Sequence, residues 1–362
     1  MIRRIALVAA ALAAALAVVP RALAEPYLAV QQGYKCVTCH VNPTGGGLRN
    51  GFGTVFTEKV LPQYELPANW PTWSGEIFKI LRVGADYRTA RIDTDVPAQP
   101  TVRQDGLEQL RAYGDVTLVP KWLDYYVDES FAPGNRVANE YYAKLTVPEV
   151  GLYAKGGQFY LPFGWRLQDQ TAFVREVSGI SMTTPDRGFE LGLELPEWSA
   201  QFDYTRGAAN ISLGTGHELT AQVVYVQPAW RAGAAATYTE SAFGNRQVEG
   251  VFAGLKTGPI AWLGELDLVR DAGYPGGARQ LAAVLGEADW ALHKGHNLKV
   301  TAEMYDPDRS VANDQQARWS VLYEYTPVPF LQLRAGFRRY RGIPQNDLEN
   351  RHLTFIELHA FL

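Results

Sequence analysis

The stretch Leu331-Gln332-Leu333-Arg334-Ala335-Gly336-Phe337-Arg338 alternates apolar and polar residues one by one. Successive side chains of an extended strand point to opposite faces, so Leu331, Leu333, Ala335 and Phe337 share one face and Gln332, Arg334, Gly336 and Arg338 the other. The pattern repeats outward from there. Trp319, Val321, Tyr323 and Tyr325 oppose Arg318, Ser320 and Glu324, and Leu298, Val300, Ala302 and Met304 oppose Lys299, Thr301, Glu303 and Tyr305. Beyond it, Thr354, Ile356, Leu358, Ala360 and Leu362 oppose Glu357 and His359. Strands with one greasy and one wet face follow from this period, but a soluble β-sandwich shows it too.

The connections decide between the two. Short turns carry a proline with an aromatic beside it: Pro120 with Trp122, Pro196 with Trp198, Pro228 with Trp230, Pro259 with Trp262, and Pro327 and Pro329 with Phe330. Pro148 and the stretch His293 to Asn297 complete the set. Between them lie polar loops near 90 to 106, 130 to 137, 162 to 187, 206 to 216, 240 to 247, 270 to 278, 305 to 316 and 340 to 350. Tight turns alternating with long loops, with aromatics beside the tight turns, are the asymmetry of an outer-membrane barrel with a polar lumen. The expected fold is therefore all-β: a transmembrane β-barrel of about 16 antiparallel strands over residues 76 to 362, preceded by a small N-terminal α-helical unit.

Ahead of the barrel, residues 1 to 24 read as a signal peptide. Arg3 and Arg4 are followed by the apolar run Ile5 to Val19 and by Ala22-Leu23-Ala24, a small-residue cleavage site. That run of about 15 residues is short of the ~20 that a spanning helix needs. Cleavage would remove Arg3, Arg4 and Arg21 and take the formal charge from -4 to about -7, which gives no case for nucleic-acid binding. Residues 59 to 75 carry Pro62, Pro67 and Pro71 among aromatics and read as a stiff linker.

Between signal and linker, residues 25 to 58 contain Cys36-Val37-Thr38-Cys39-His40, which holds both cysteines of the chain. Two thiols at this spacing can each add to a haem vinyl group, with the following imidazole as proximal iron ligand. A structural zinc site would need a second ligand pair, and no second cysteine pair exists. A redox CxxC of the thioredoxin type would sit in a βαβ pattern, which is absent. The reading is one covalent haem c on Cys36, Cys39 and His40, in a unit too small to bury a core without such a staple.

No methionine and no second histidine lies between Glu25 and Gly75, so a usual sixth ligand has to come from the barrel. Met182, in the longest loop, ranks first as distal ligand and His359, pointing inward, second. Met304 falls on the lipid side, His217 at the outer rim, His293 and His296 in a short turn and His352 near an outer loop.

A leader, one CxxCH near the mature start and a C-terminal porin-like barrel resemble the outer-membrane monohaem porin-cytochrome fusions, including those of iron-oxidising bacteria. The stretch Gly157 to Arg166, with Phe159, Tyr160, Pro162, Phe163 and Trp165, is also similar to segments of porin-like proteins. The resemblance implies an electron conduit of the bacterial outer membrane, its haem unit periplasmic or inside the lumen. Its partners would be outer-membrane lipid, a periplasmic carrier such as a soluble cytochrome c, and an extracellular donor or acceptor, Fe(II) being favoured. If it is an enzyme, it is an oxidoreductase. The alternatives are a porin for solute diffusion with a cytochrome plug, and a haem peroxidase-like enzyme.

Overall fold

The computed structural model describes residues 25–67, 69–207, 216–242, 244–274 and 276–362; the expected signal peptide lies outside the described residues. A two-residue strand β1 (Glu76–Ile77) leads into sixteen long strands: β2 (Leu81–Asp95), β3 (Val102–Val119), β4 (Leu123–Ala132), β5 (Val137–Val147), β6 (Leu152–Phe159), β7 (Asp186–Glu194), β8 (Trp198–Thr205), β9 (Gly216–Val226), β10 (Trp230–Ser241), β11 (Gly244–Thr257), β12 (Ile260–Asp271), β13 (Arg279–His293), β14 (His296–Asp306), β15 (Gln316–Tyr325), β16 (Leu331–Arg341) and β17 (His352–Phe361). Each pairs antiparallel with the next, and β17 pairs with β2, Ala360 opposite Tyr87, so the sheet closes on itself. Among the described residues each of the sixteen long strands is thereby paired on both sides, as a sheet in hydrocarbon requires.

The alternation sorts as the sequence reading expects. In β16, Leu333 and Ala335 are exposed while Gln332 and Arg334 are buried. Phe189, Leu191, Val251, Val300 and Ile356 are all exposed on the outside of the barrel, and an apolar band of that size suits lipid rather than water. At the short-turn end Trp122, Trp198, Trp230 and Trp262 are each partly exposed, and Tyr225 packs between Trp198 and Trp230 at 4.6 and 5.5 Å. No helix among the described residues is long and apolar enough to cross a membrane.

One expectation needs correction. The lumen is not simply polar: Phe163, Trp165, Phe173, Val174, Val177 and Ile180 from the β6–β7 loop pack with Tyr27, Val30, Phe252, Leu263 and Leu285 into one buried cluster. Here β11 to β13 turn apolar residues inward as well as outward, because a folded loop rather than water covers them. Residues 25 to 58, expected as a small helical unit, carry two short helices inside the barrel. Their helices α1 (Pro26–Gln32) and α2 (Gly51–Lys59) have 7 and 9 residues, too few for a core of their own, and the barrel wall supplies that core instead.

The segment is moored at many points. Glu25 pairs with Lys299 at 2.9 Å and Lys35 with Glu194 at 2.5 Å. Gln31 Nε2 donates to the Pro259 carbonyl at 2.6 Å, and Asn42 Nδ2 to Glu140 at 3.3 Å. The proline-bearing stretch after α2 crosses the short-turn rim, where Gln63 N–H donates to the Thr326 carbonyl at 2.9 Å and Glu65 pairs with Lys294 at 2.6 Å. Across the lumen the β6–β7 loop carries a third helix, α3 (Phe173–Ser178). It is pinned by wall carboxylates: Trp165 N–H donates to Glu265 at 3.0 Å and Phe173 N–H to Glu303 at 2.6 Å.

Candidate functional site

The CxxCH motif starts where α1 stops. Gly33 closes the helix with φ 66°, and a Cβ there would meet the Pro228 backbone at 2.7 Å, so the β9–β10 turn lies directly against the plug. A 3-10 turn, Cys36–Thr38, follows, with the N–H groups of Cys39 and His40 donating to the Cys36 carbonyl at 3.1 and 3.0 Å. This compact turn presents both thiols to one cavity.

After His40 the chain reverses and runs back beside itself. Val41 N–H donates to the Leu48 carbonyl at 3.1 Å, and Asn50 N–H to the Cys39 carbonyl at 3.0 Å. The reversal uses Gly45, Gly46 and Gly47 at φ 88°, 76° and 60°, three successive residues in the region that glycine alone enters freely. Asn50 then caps α2, accepting from Gly53 N–H at 2.9 Å, while its amide donates to the carbonyls of Val37 and Thr38 at 3.0 and 3.1 Å. One side chain thereby ties the motif turn to the helix behind it.

Cys36, Cys39 and His40 line a largely apolar cavity together with Leu28, Phe56, Trp165, Val224, Val226 and Phe252. It lies toward the short-turn end, where β8 starts and β9 finishes. Both thiols are free, so the pair is not a disulfide. Burial pushes the Cys39 thiol up to about 11, although Arg49 pulls the other way, which is the opposite of a reactive redox thiolate.

His40 is 3 % exposed, and its imidazole lies against the backbone of Gly46 and Gly47. Burial and then Arg49 hold its imidazole down at about 3, so the ring is neutral, the form that binds a metal. An apolar cavity with two free thiols on its wall and that neutral imidazole beside them has the donor set of a covalently held haem. Among the described residues no cluster of three or more His, Cys, Asp or Glu is assembled that could hold a metal ion by itself.

A second cavity touches His40 and Gly46 and is otherwise lined by β2, β3, β16, β17 and the β6–β7 loop. Asp86, Arg88, Glu108, Arg111, Asp169 and Glu357 make it polar, and Ile92, Thr183 and Leu353 carry it toward the long-loop end.

Neither expected distal ligand lines the cavity of the two cysteines. Met182 borders the polar cavity behind Gly46, whose Cβ would come within 2.9 Å of the Met182 methyl. His359 is fully buried, with Nε2 on Asp86 at 2.7 Å and Nδ1 on Gln332 at 3.4 Å. The remaining candidates are surface groups: Met304 is 58 % exposed, His217 bonds the Tyr204 hydroxyl at 2.9 Å and His352 pairs with Asp95 at 3.1 Å. Sequence reasoning passed over Asn50, Arg49 and Arg231. Asn50 precedes a helical run as an N-cap does, but no local signal marks the two arginines.

No protein-family model and no curated protein matches this chain. Solved structures do. OmpT of Vibrio cholerae in its trimer form aligns with a TM-score of 0.61 at 9% identity, over 78% of this chain and 100% of that one. The anion-selective porin from Comamonas acidovorans gives 0.61 at 10% identity over 78% and 99%, and Salmonella typhi OmpF in complex with daunomycin 0.59 at 10% over 78% and 97%. At such identities the likeness establishes the fold, a closed porin-type barrel.

Proposed function

We propose that this chain is an outer-membrane electron-transfer protein that carries one haem c inside its barrel, attached through Cys36 and Cys39 with His40 as proximal ligand. The observation that carries the reading is the buried His40 imidazole at the junction of two cavities, one apolar and lined by the free thiols, the other polar and running toward the long loops. The apolar exterior band supports membrane residence, and closed antiparallel barrels of this kind span outer membranes.

A bound haem supplies one-electron redox chemistry, and the residues around the cavity divide the remaining work. Gly45 keeps a side chain off Cys36. Leu28, Phe56, Val224, Val226 and Phe252 exclude water. The position near the short-turn end suits exchange with a periplasmic carrier such as a soluble cytochrome c. The polar cavity offers a small dissolved donor, Fe(II) being favoured, an approach past Asp86, Glu108, Asp169 and Glu357. A hydrocarbon layer about 30 Å thick is otherwise a barrier to electrons, and the lumen is the way through it.

The likeness to porins favours a second reading, solute diffusion with residues 25 to 60 as a plug. The apolar cluster across the lumen weighs against it. The deciding experiment is an absorption spectrum of the full-length chain matured in an export host competent for haem attachment, followed by stopped-flow mixing with Fe(II) and single-channel recording in a planar bilayer. Covalent haem that Fe(II) reduces quickly, with little conductance, is the expected result. Absence of haem with steady conductance would leave a porin.

A further inference from the structure

The outward-facing side chains of β16 run Leu331, Leu333, Ala335, Phe337, Arg339 and Arg341 from the short-turn end to the long-loop end. The strand thus leaves the apolar band on two successive guanidinium groups about 7 Å apart, two residues at the rise of a strand. Strand pairing sets Arg339 opposite Trp319 of β15 and His352 of β17, and Arg341 opposite Ala317. Phe337 packs between the flanking rings, Trp319 at 5.2 Å and His352 at 5.9 Å. Such an aromatic layer stands where hydrocarbon meets headgroups, and both arginines lie beyond Phe337 on the long-loop side.

The protein does not cancel their charge. On the same outer face Arg270 pairs with Glu249 at 3.1 Å, Arg103 with Asp93 at 2.7 Å and Arg91 with Asp93 at 3.6 Å, while His352 is held by Asp95 at 3.1 Å. Arg339 and Arg341 are exposed, and their side chains make no ion pair and no hydrogen bond among the described residues. The long loops of this end hold arginines and no lysine, and arginine is the cation whose fork meets a phosphate through two parallel hydrogen bonds.

We propose that Arg339 and Arg341 form a binding site for a phosphate-bearing lipid headgroup of the outer leaflet. Both stand at headgroup level, so the counter-charge that the barrel does not supply comes from the leaflet. Their apolar stems lie along the wall while the guanidinium heads reach outward. The exposed Trp319 and, nearer the middle of the band, Ile356 give the acyl chains of the same lipid an apolar surface to lie on. The inference rests on membrane residence of the barrel and is independent of the haem.

The test titrates the full-length chain, purified in detergent, with diphosphoryl lipid A and counts bound lipid by native mass spectrometry. Wild type is compared with R339Q/R341Q, R339K/R341K and R103Q/R270Q, the last removing the same charge elsewhere on the outer face. Wild type is expected to bind lipid A, R339Q/R341Q to bind it about tenfold more weakly, R339K/R341K to fall between them, and R103Q/R270Q to stay within twofold of wild type. R339Q/R341Q within twofold of wild type overturns the site, and so does an equal loss in R103Q/R270Q, which is attraction by total charge. Lipid A stripped of both phosphates binding as tightly as the diphosphoryl form overturns the phosphate assignment. Inorganic phosphate binding as tightly as lipid A, and lost in R339Q/R341Q, gives the pair to a soluble anion and overturns the lipid. Should R339Q/R341Q fail to accumulate, R339Q and R341Q are titrated singly: weaker binding by either, beyond twofold, supports the site, and wild-type binding by both overturns it.

Discussion

Gly53, in the first turn of α2, lies against the carbonyl of Cys39 so closely that a Cβ at that position would collide with it. The helix that backs the motif therefore packs through bare backbone. Gly53→Ala is expected to push α2 away from the motif turn at an overpacking cost of ~1–3 kcal/mol. Limited proteolysis checks it: residues 25 to 60 become cleavable while the barrel keeps its heat-modifiable mobility on gels.

Asn50 joins the same two pieces by hydrogen bonds. Asn50→Ala removes the cap on Gly53 and both bonds to the Val37 and Thr38 carbonyls. Loss of a cap alone costs about 0.5–2 kcal/mol. Covalent haem per chain, measured by haemochromogen, is expected to fall below wild type, and Asn50→Asp, which keeps the cap, is expected to recover part of it.

Met182 stands behind Gly46 and outside the cavity that the two thiols line. Met182→Ala is accordingly expected to leave the visible spectrum and midpoint potential of the haem-bearing chain unchanged, whereas His40→Ala abolishes the spectrum of a ligated iron. A loss of a thioether-type charge-transfer band in Met182→Ala would reinstate Met182 as distal ligand.

The plug also leans on a buried ion pair of the wall. Lys155 and Glu190, both fully buried, meet at 2.8 Å, and Lys155 Nζ reaches Asn42 Oδ1 at 3.4 Å. Lys155→Met strands a buried carboxylate, which costs ~3–5 kcal/mol. A lower Tm in detergent is expected, with Lys155→Met/Glu190→Gln recovering most of it.

Acid is expected to loosen the lumen loop. Burial alone would raise the Asp169 carboxyl, but Arg338 and Arg318, each at 2.9 Å, more than offset it and hold it well below the usual carboxylate range. A carboxylate with a depressed folded pKa gives its full stabilisation above the unfolded value of about 3.9 and loses it progressively as pH falls below that. Bilayer conductance of the chain is expected to rise in that range, and Asp169→Asn to show the raised conductance already at neutral pH.

Much of this was legible from short-range pattern. Alternation in Leu331 to Arg338 sets which side chains face lipid, because a strand's period is fixed by its backbone. Prolines and tryptophans at the tight turns gave the strand order and the count of sixteen, and the spacing Cys36-Val37-Thr38-Cys39-His40 gave the motif, since a single turn decides what it can hold. Which charges cancel was not legible. Arg231 bonds the carbonyls of residues 197 and 202 positions away in the chain, and whether a lumen arginine meets a carboxylate depends on which strand ends up across from it. The same holds for Met182 and His359, both facing the lumen, one set behind Gly46 and the other bonded to Asp86. Local sequence determined the elements and their faces because backbone geometry repeats every few residues. The tertiary structure alone decided the lumen, because only closure of β17 on β2 brings plug, loop and wall charges into one enclosed space.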